Sequence, residues 1–473
     1  MQRSPLTLAL LGGLMLGGCT LAPSYDAPDS PVAAQLGDSQ PASKLTLPGW
    51  ENLYRSEELQ QLIRTALENN RDLRLATLDV AALRAQYQIQ RADLFPSVTA
   101  EGTGTRQRLP GDLSSTGQST LSSQYGAQVG VTAWELDLFG RVRSLKDAAL
   151  ENYLASEETQ RSSHLALVAQ VAQSYLTLMA DQQNLAISRE TVVAQQSSLD
   201  LIQRRYEGGL GTELDVRQAQ IALQGALANQ ASFERQVSQD YNALAVLVGG
   251  PLPELQPVSL SDDALDLVAP VPSGLSSDLL AQRPDIRKAE HQLRAADANI
   301  GAARAAFFPS ITLTGAYGSM SSELSGLFES GSKAWSFSPA ISLPIFTGGS
   351  NKANLDLAWV RRDQAVASYE KAVQVAFQEV ADALEARDSL SRQAQAQQAL
   401  VEATRQTLTL AQQRYEQGAD DYLAVLDAQR TLLSARQQRV SLQRQQLSNE
   451  TDLYRALGGG WEAQQATHLV AGR

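Results

Sequence analysis

The most regular hydrophobic pattern lies between Arg141 and Tyr206, a stretch without proline or glycine. Hydrophobic residues recur there at every seventh position, and a shorter column with the same spacing follows later in the chain. The two columns are Val171, Leu178, Leu185, Val192, Leu199 and Tyr206, then Val401, Leu408 and Tyr415. A strict seven-residue repeat predicts long helices packed in left-handed coils. At ~1.5 Å per residue the first helix is on the order of 100 Å long, far more than a bilayer is thick.

Two pairs of segments with alternating apolar and polar residues precede the long helices. The four segments are residues 97–107, 125–137, 310–319 and 335–345, with bounds that are approximate. Alternation over roughly ten residues is typical of transmembrane β-strands, although any one segment also fits a soluble hairpin. A helical segment leads into each pair, over residues 57–93 and 277–306, and Pro96 or Pro309 stops it.

The same order of elements, a helical segment, two strands and a long helix, occurs twice along the chain. Short motifs of the first half recur in the same order 207 to 213 residues later, such as Asp72-Leu73-Arg74 and Asp285-Ile286-Arg287. Further pairs are Leu94-Phe95-Pro96-Ser97 with Phe307-Phe308-Pro309-Ser310, Arg205-Tyr206-Glu207 with Arg414-Tyr415-Glu416, and Val248-Gly249-Gly250 with Leu457-Gly458-Gly459. We therefore predict two internal repeats, residues 57–250 and 271–461, joined by a proline-rich linker over 251–270 and followed by a tail over 462–473.

The N-terminus predicts export and a lipid anchor. Residues 1–18 form a signal peptide, because Arg3 precedes an apolar stretch too short to span a bilayer. Leu16-Gly17-Gly18-Cys19 resembles a bacterial lipobox, so we expect cleavage before Cys19 and an N-acyl and diacylglycerol lipid on that cysteine. The alternative is an ordinary secretory signal with an incidental cysteine. Residues 19–56 then form an extended, proline-containing arm.

Composition narrows the function. The net charge of -12 argues against a nucleic-acid partner. With a single cysteine, neither an intrachain disulfide nor a four-cysteine metal site can form. His164, His291 and His468 lack metal-ligand spacing, so we expect no metal, no other cofactor and no enzymatic activity. After Cys19 no run of about 18 apolar residues appears, which predicts no transmembrane helix.

Counting the strands predicts an oligomer. Four strands per chain cannot close a transmembrane barrel, for which about eight are needed. A homotrimer supplies twelve strands, and the two repeats make such a ring nearly sixfold. The predicted fold class is therefore mainly α with a transmembrane β-barrel: a trimeric channel-tunnel with four strands per chain and a long coiled α-helical barrel.

At this point the sequence resembles the outer-membrane factors, the TolC/OprM/NodT type, and within them the OprM-like lipoproteins. The motifs that carry the resemblance are Trp134-Glu135-Leu136-Asp137-Leu138-Phe139-Gly140-Arg141, Arg283-Pro284-Asp285-Ile286, Gly301-Ala302-Ala303-Arg304-Ala305-Ala306-Phe307-Phe308-Pro309 and Arg414-Tyr415-Glu416-Gln417-Gly418. The resemblance implies an outer-membrane exit duct for drugs, solvents or other small toxic compounds. It implies as partners a periplasmic membrane-fusion adaptor and an inner-membrane resistance-nodulation-division pump.

The resemblance also implies a periplasmic gate. Leu423 and Asp427 lie four residues apart on one helix face, so three copies would form a leucine ring and a carboxylate ring that favours cations. Asp215 and Tyr415 occupy the positions of a lock between the repeats. The family's arginines are missing, since Glu416 and Asp420 stand in their places, and this leaves a tyrosine hydrogen bond as the expected lock.

The turns between the long helices and their return helices are the predicted contacts for the adaptor. They comprise Tyr206, Gly208, Gly209 and Gly211 in the first repeat and Gly418 and Asp420 in the second. Two alternatives to an efflux duct remain open on the sequence alone. One is the exit duct of a protein-secretion system, and the other is a non-conducting trimeric coiled-coil scaffold on the cell surface.

Overall fold

The computed structural model describes residues 20–26, 28, 29, 31, 32, 47–115, 117–253, 255, 267–271 and 282–459. The predicted signal peptide, Cys19, much of the arm and linker, and the tail lie outside these residues. The chain forms two compact units. Unit one comprises residues 1–29, 79–157 and 288–370, and unit two comprises residues 30–78, 158–287 and 371–473.

Eight helices and four strands occur in the described part of the chain. The first half contains α1 (Trp50–Leu53), α2 (Glu57–Asn69), α3 (Arg71–Ala92), β1 (Val98–Leu109), β2 (Thr120–Glu135), α4 (Arg141–Glu207) and α5 (Glu213–Val248). The second half contains α6 (Pro284–Ala305), β3 (Ser310–Ser321), β4 (Lys333–Ser342), α7 (Ser350–Glu416) and α8 (Tyr422–Ala456). No helix of the described residues is both long and apolar enough to cross a membrane.

The two 67-residue helices, α4 and α7, confirm the long helices predicted from the seven-residue pattern, and their left-handed coiling stays a prediction. Val171, Leu178 and Leu185 of the first column are buried, and so is Val401 of the second. The last member of the first column, Tyr206 in the last turn of α4, is exposed. The column is therefore buried in the middle of α4 and becomes more exposed toward its end.

The helical segment predicted over residues 57–93 is present, but the structure divides it at Asn70 into α2 and α3. The Asn70 side chain accepts a hydrogen bond from the Leu73 backbone N–H at 2.9 Å and so caps α3. Its amide nitrogen donates to the Leu247 carbonyl at the same distance, which ties the break to α5. In the second repeat the described helix, α6, begins at Pro284 rather than at residue 277; residues 277–281 lie outside the described residues.

Unit one contains a four-stranded antiparallel sheet in the order β1-β2-β3-β4. All four predicted strands are present, and β2 begins at Thr120, earlier than predicted. Residues 120–124 carry no apolar alternation, which is why the sequence pattern missed them. Within the described residues β1 and β4 are open edges, so each leaves a row of backbone N–H and C=O groups available for pairing.

The two faces of this sheet differ in polarity. The apolar face consists of Val98, Ala100, Gly102, Gly104, Tyr125, Ala127, Val129, Val131, Ile311, Leu313, Gly315, Tyr317, Trp335, Phe337, Pro339 and Ile341. The polar face includes Thr99, Glu101, Thr103, Thr105, Gln124, Gln128, Thr312, Thr314, Ser336 and Ser338. Large side chains of the apolar face are exposed, with Trp335 at 77% and Ile341 at 71%. An apolar surface of this extent requires a partner surface or lipid.

A β-bulge keeps the apolar face continuous. Strand β2 uses three residues, from Val131 to Trp134, where β3 advances by two. The extra length is taken up at Ala133, which has a positive φ of 48°, and its N–H donates to the Thr314 hydroxyl at 3.1 Å. Trp134 thereby returns to the same face as its partner Leu313.

The arm begins next to the end of α6 in unit one. The Arg304 side chain donates to the Leu21 carbonyl at 2.9 Å, and the Tyr25 hydroxyl donates to Glu290 at 3.0 Å. The Arg294 guanidinium lies 4.6 Å from the centre of the Tyr25 ring. Residues 21 to 25 therefore run antiparallel to α6, with residue 21 nearest to the start of β3.

Candidate functional site

The turns that join each long helix to its return helix have matching backbones. We name residues 205–215 tip one and residues 414–424 tip two. Gly209 and Gly418 have φ values of 74° and 72°, and each follows the last helical turn directly. No atom lies within 4 Å of an added Cβ at either glycine, so the backbone conformation and not space requires glycine there. The helices end at these glycine turns, as the sequence predicts.

The first turn of each return helix is capped. In tip one Thr212 and Asp215 form a capping box: the Asp215 N–H donates to the Thr212 hydroxyl at 3.2 Å, and the Thr212 N–H donates to the Asp215 carboxylate at 3.0 Å. In tip two the Asp421 carboxylate accepts from the Ala424 N–H at 3.3 Å. The caps fix where α5 and α8 start and therefore which side chains face outward.

A small apolar core joins the two tips within unit two. Its buried members come from α4, α5 and α8: Ile202, Val216, Ala219, Tyr422, Val425 and Leu426. Leu199, Leu408 and Tyr415 pack against it. The tips of the two repeats therefore form one packed cluster in this structure, and moving one tip away from the other would expose this core.

Tyr415 is the centre of the polar contacts between the tips. The Arg205 guanidinium carbon lies 4.8 Å from the centre of the Tyr415 ring, a cation–π distance. The Tyr422 ring is 5.4 Å away and inclined at 53°. Burial raises the pKa of the Tyr415 hydroxyl, and Asp215 acts in the same direction while Arg205 opposes it. Arg205 was not predicted as a site residue, because its motif Arg-Tyr-Glu indicates only the internal repeat.

Asp215, the predicted partner of Tyr415, is hydrogen-bonded within its own tip. The Asp215 carboxylate accepts from both the N–H and the hydroxyl of Thr212, at 3.0 Å and 2.8 Å. It lies close enough to influence Tyr415 electrostatically, and no hydrogen bond joins their side chains in this arrangement. The lock between Asp215 and Tyr415 stays a prediction.

Asp420 has a role inside its own tip. The Arg414 guanidinium donates to both carboxylate oxygens of Asp420, at 2.6 Å and 2.8 Å. This bidentate pair holds the pKa of Asp420 below its usual value. Asp420 therefore closes the turn around Gly418.

Leu423 and Asp427 lie on the outward side of α8. Tyr422, Val425 and Leu426 point into the core between the tips, whereas Leu423 is 47% exposed. Asp427 is exposed too, with an oxygen 3.8 Å from Arg430 in a solvent-accessible pair. Neither predicted gate residue belongs to the core between the tips, and the gate stays a prediction.

Tip one also presents exposed apolar side chains. Leu210 and Leu214 are 75% and 64% exposed, and Tyr206 is exposed beside them. The residues predicted here are Tyr206, Gly208, Gly209 and Gly211, and the two leucines were not predicted. The sequence feature that could have identified them is the presence of two leucines at a turn, where solvated polar residues are usual.

No metal-binding cluster of three His, Cys, Asp or Glu side chains occurs in the described residues. The Nδ1 atom of His291 lies 2.6 Å from a carboxylate oxygen of Glu151. His468 lies outside the described residues.

The fold and the tips define a class of chain in which β-hairpins with an exposed apolar face are joined to pairs of very long helices. The sequence matches the family described as outer membrane efflux protein over residues 62–250 and 275–459. The chain belongs to this family. Membership confirms the predicted family, and the family is that of an efflux duct and not of an enzyme.

Individual relatives agree with this assignment. The chain is 50% identical over 471 residues to the antibiotic efflux pump outer membrane protein ArpC of Pseudomonas putida, covering 98% of this chain and 97% of that protein. It is also 50% identical over 471 residues to the toluene efflux pump outer membrane protein TtgC of the same species, with the same coverage. Among solved structures, the open state of the Neisseria gonorrhoeae MtrE outer membrane channel is 40% identical with a TM-score of 0.84, covering 94% of this chain and 99% of that one.

Proposed function

We propose that the protein is the outer-membrane exit duct of a tripartite efflux pump and exports small toxic compounds. The observation that carries the proposal is the four-stranded sheet, whose apolar face is exposed and whose two edges are open. A sheet of this kind is stable in a bilayer only as part of a closed barrel. The names of the relatives, which refer to antibiotic and toluene efflux pumps, support antibiotics and solvents as the cargo classes.

The barrel forms from three copies of the chain. Pairing the β1 edge of one copy with the β4 edge of the next gives twelve strands and leaves no free edge. The apolar face then contacts lipid, and the polar face, with Glu101 and Gln128 side by side, lines the lumen. The helices lie on the periplasmic side, since both long inter-strand loops, residues 110–119 and 322–332, leave the opposite end of the sheet.

The lipid on Cys19 anchors the arm at the same membrane. The described residues support this anchor, because Arg304 donates to the Leu21 carbonyl and lies close to the start of β3. From Leu21 onwards the arm is therefore held at the helix end of the sheet.

The gate lies at the two tips and consists of three copies of Leu423 and Asp427. Both side chains are exposed in a single chain and lie on one face of α8, opposite the core between the tips. Leucines meeting at a threefold axis exclude water, and three carboxylates below them repel anions. The replacement Leu423→Ala with Asp427→Ala should raise single-channel conductance and weaken cation preference.

A matched control distinguishes an effect on the gate from the effect of removing any exposed leucine and carboxylate. Leu400→Ala with Glu402→Ala removes an exposed leucine and an exposed carboxylate from α7, away from the tips. We expect wild-type conductance and ion preference from the control. Identical recordings from the wild type and the Leu423/Asp427 variant would place the constriction elsewhere.

The tips bind the periplasmic adaptor, which in turn contacts a resistance-nodulation-division pump. Leu210 and Leu214 give tip one an apolar surface that a partner can cover. Gly209→Val should abolish efflux while trimers remain in the outer membrane, since valine does not tolerate the required positive φ. Normal drug resistance at normal expression would remove this assignment.

Two measurements separate the duct from its alternatives. A coiled-coil scaffold would give no ion conductance in a planar bilayer, whereas a duct conducts. A protein-secretion duct would leave a deletion strain as resistant to toluene and antibiotics as its parent, whereas loss of an efflux duct lowers resistance. A conducting protein whose deletion leaves resistance unchanged would contradict the efflux proposal.

A further inference from the structure

Three basic residues occupy the loop end of the apolar face. Arg106 and Arg108 continue the positions of Gly102 and Gly104 along β1, and Lys333 precedes Trp335 by two residues on β4. We name these three residues the loop-end patch. All three are exposed, and no ion pair joins any of them to a carboxylate in the described part of the chain. Among the described residues Arg108 donates to the Ser119 hydroxyl, at 2.8 Å.

The patch lies just beyond the apolar stretch on both edge strands. Within β1 the apolar positions run from Val98 to Gly104, an advance of six residues and about 20 Å at ~3.3 Å per residue. Within β4 they run from Trp335 to Ile341, an advance of the same length. On both strands the basic residues take the next positions of this face, at the end that leads to the loops. The cations therefore lie at the boundary of the apolar face, on the side away from the helices.

Charge is divided between the two faces of the sheet. The carboxylates of the strands, Glu101 and Glu135, lie on the polar face, and Glu135 is paired with Arg141. The apolar face carries only positive charge within the described strands. Unpaired guanidinium and ammonium groups beside aromatic rings at a membrane boundary suit an anionic headgroup better than water alone.

We propose that the loop-end patch binds the phosphate groups of the outer-leaflet glycolipid. The proposal rests on the proposed function for barrel closure and orientation, because closure places β1 of one copy beside β4 of the next. Arg106 and Arg108 of one copy then lie near Lys333 of its neighbour, and the trimer carries three such patches. Guanidinium groups bind phosphate through two parallel hydrogen bonds, and the ammonium group adds charge.

The test measures binding of lipid A to purified trimers. Trimers in neutral detergent are titrated with bis-phosphorylated lipid A or with its dephosphorylated form, and bound lipid is counted by native mass spectrometry. The variant Arg106→Gln, Arg108→Gln, Lys333→Gln removes the patch. The control Arg71→Gln, Arg74→Gln, Arg235→Gln removes the same charge from exposed helix positions.

We expect the patch variant to bind phosphorylated lipid A on the order of a hundredfold more weakly, since each basic residue near an anionic surface contributes roughly fivefold. The control should bind as the wild type does, and dephosphorylated lipid A should bind all three proteins equally weakly. Equal binding of the two lipids by the wild type, or equal loss in the patch variant and the control, would overturn the proposal. Bilayer conductance of the same preparations tests the duct itself, so a conducting wild type without lipid A preference contradicts only the loop-end patch.

Discussion

The contact between Arg205 and Tyr415 should stabilise the packed arrangement of the two tips. Arg205→Met keeps the long apolar stem and removes the guanidinium that lies 4.8 Å from the ring centre. Exposed cation–π pairs contribute ~0.5–1 kcal/mol and desolvated ones ~2 kcal/mol. Arg205 is partly buried, so about 1 kcal/mol is the expected loss. That loss corresponds to a roughly fivefold larger population of chains with separated tips.

Hydrogen exchange at the first turn of α8 measures this population. Val425 and Leu426 anchor that turn in the core between the tips, and their N–H groups donate to the carbonyls four residues earlier, so their amides exchange when the tips separate. We expect exchange to become about fivefold faster in Arg205→Met. The matched control is Arg204→Met, which removes the exposed neighbouring cation.

Two replacements of Tyr415 decide which part of the side chain acts. Tyr415→Phe keeps the ring and should retain slow exchange, whereas Tyr415→Leu should accelerate exchange at least as much as Arg205→Met, because it also removes the ring contact with Tyr422. The double variant Arg205→Met, Tyr415→Leu should then exchange no faster than Tyr415→Leu alone, because that variant has already lost the cation–π contact. Equal acceleration in Tyr415→Phe and Tyr415→Leu would refute the cation–π reasoning and assign the stabilisation to the hydroxyl.

Two further predictions concern the rest of unit two. The Arg283 side chain is 7% exposed and donates to Asp285, to Glu379 and to the Ala456 carbonyl. Arg283→Met should therefore lower the free energy of unfolding by about 3 kcal/mol. In thermal unfolding, the melting temperature of Arg283→Lys should lie between those of the wild type and Arg283→Met. Burial, followed by the hydrogen bond and charge of Asp181, raises the pKa of Asp240 to about 6. The folded state therefore binds a proton more readily than the unfolded state, and stability falls as pH rises from ~4 to ~6. Asp240→Asn should raise the melting temperature at pH 8 and leave it unchanged at pH 4; a gain at both values would exclude this ionisation as the cause.

The sequence predicts the parts of this fold that depend on local periodicity. The column from Val171 to Leu185 needs only a seven-residue spacing to identify a helix, and the alternation from Ile311 to Tyr317 needs only a spacing of two. The break at Asn70 depends instead on a side chain that caps α3 and reaches the Leu247 carbonyl. That second partner lies 177 residues away, and no local pattern contains it.

In the candidate site too, a contact between distant residues could not be predicted from local sequence. Leu423 and Asp427 were found through the family and their spacing, and the structure places both on an exposed helix face. Arg205 was missed because its importance lies in a contact between repeats. Arg205 and Arg414 are equivalent in sequence, but Arg414 binds Asp420, whereas the position equivalent to Asp420 in tip one is Gly211. Without that carboxylate, Arg205 is available to Tyr415.

This asymmetry predicts that a single replacement should redirect Arg205. Gly211 does not have a positive φ, and an added Cβ would approach the Tyr206 nitrogen at 3.4 Å, an ordinary contact, so Gly211→Asp is compatible with the turn. The new carboxylate would occupy the position equivalent to Asp420 and should bind Arg205 within tip one. Tyr415 would lose its cation, and exchange at the first turn of α8 should accelerate about as much as in Arg205→Met. Gly211→Asn, which has the same shape without the charge, should exchange like the wild type. If Gly211→Asp and Gly211→Asn behave alike, the missing carboxylate does not determine where Arg205 points.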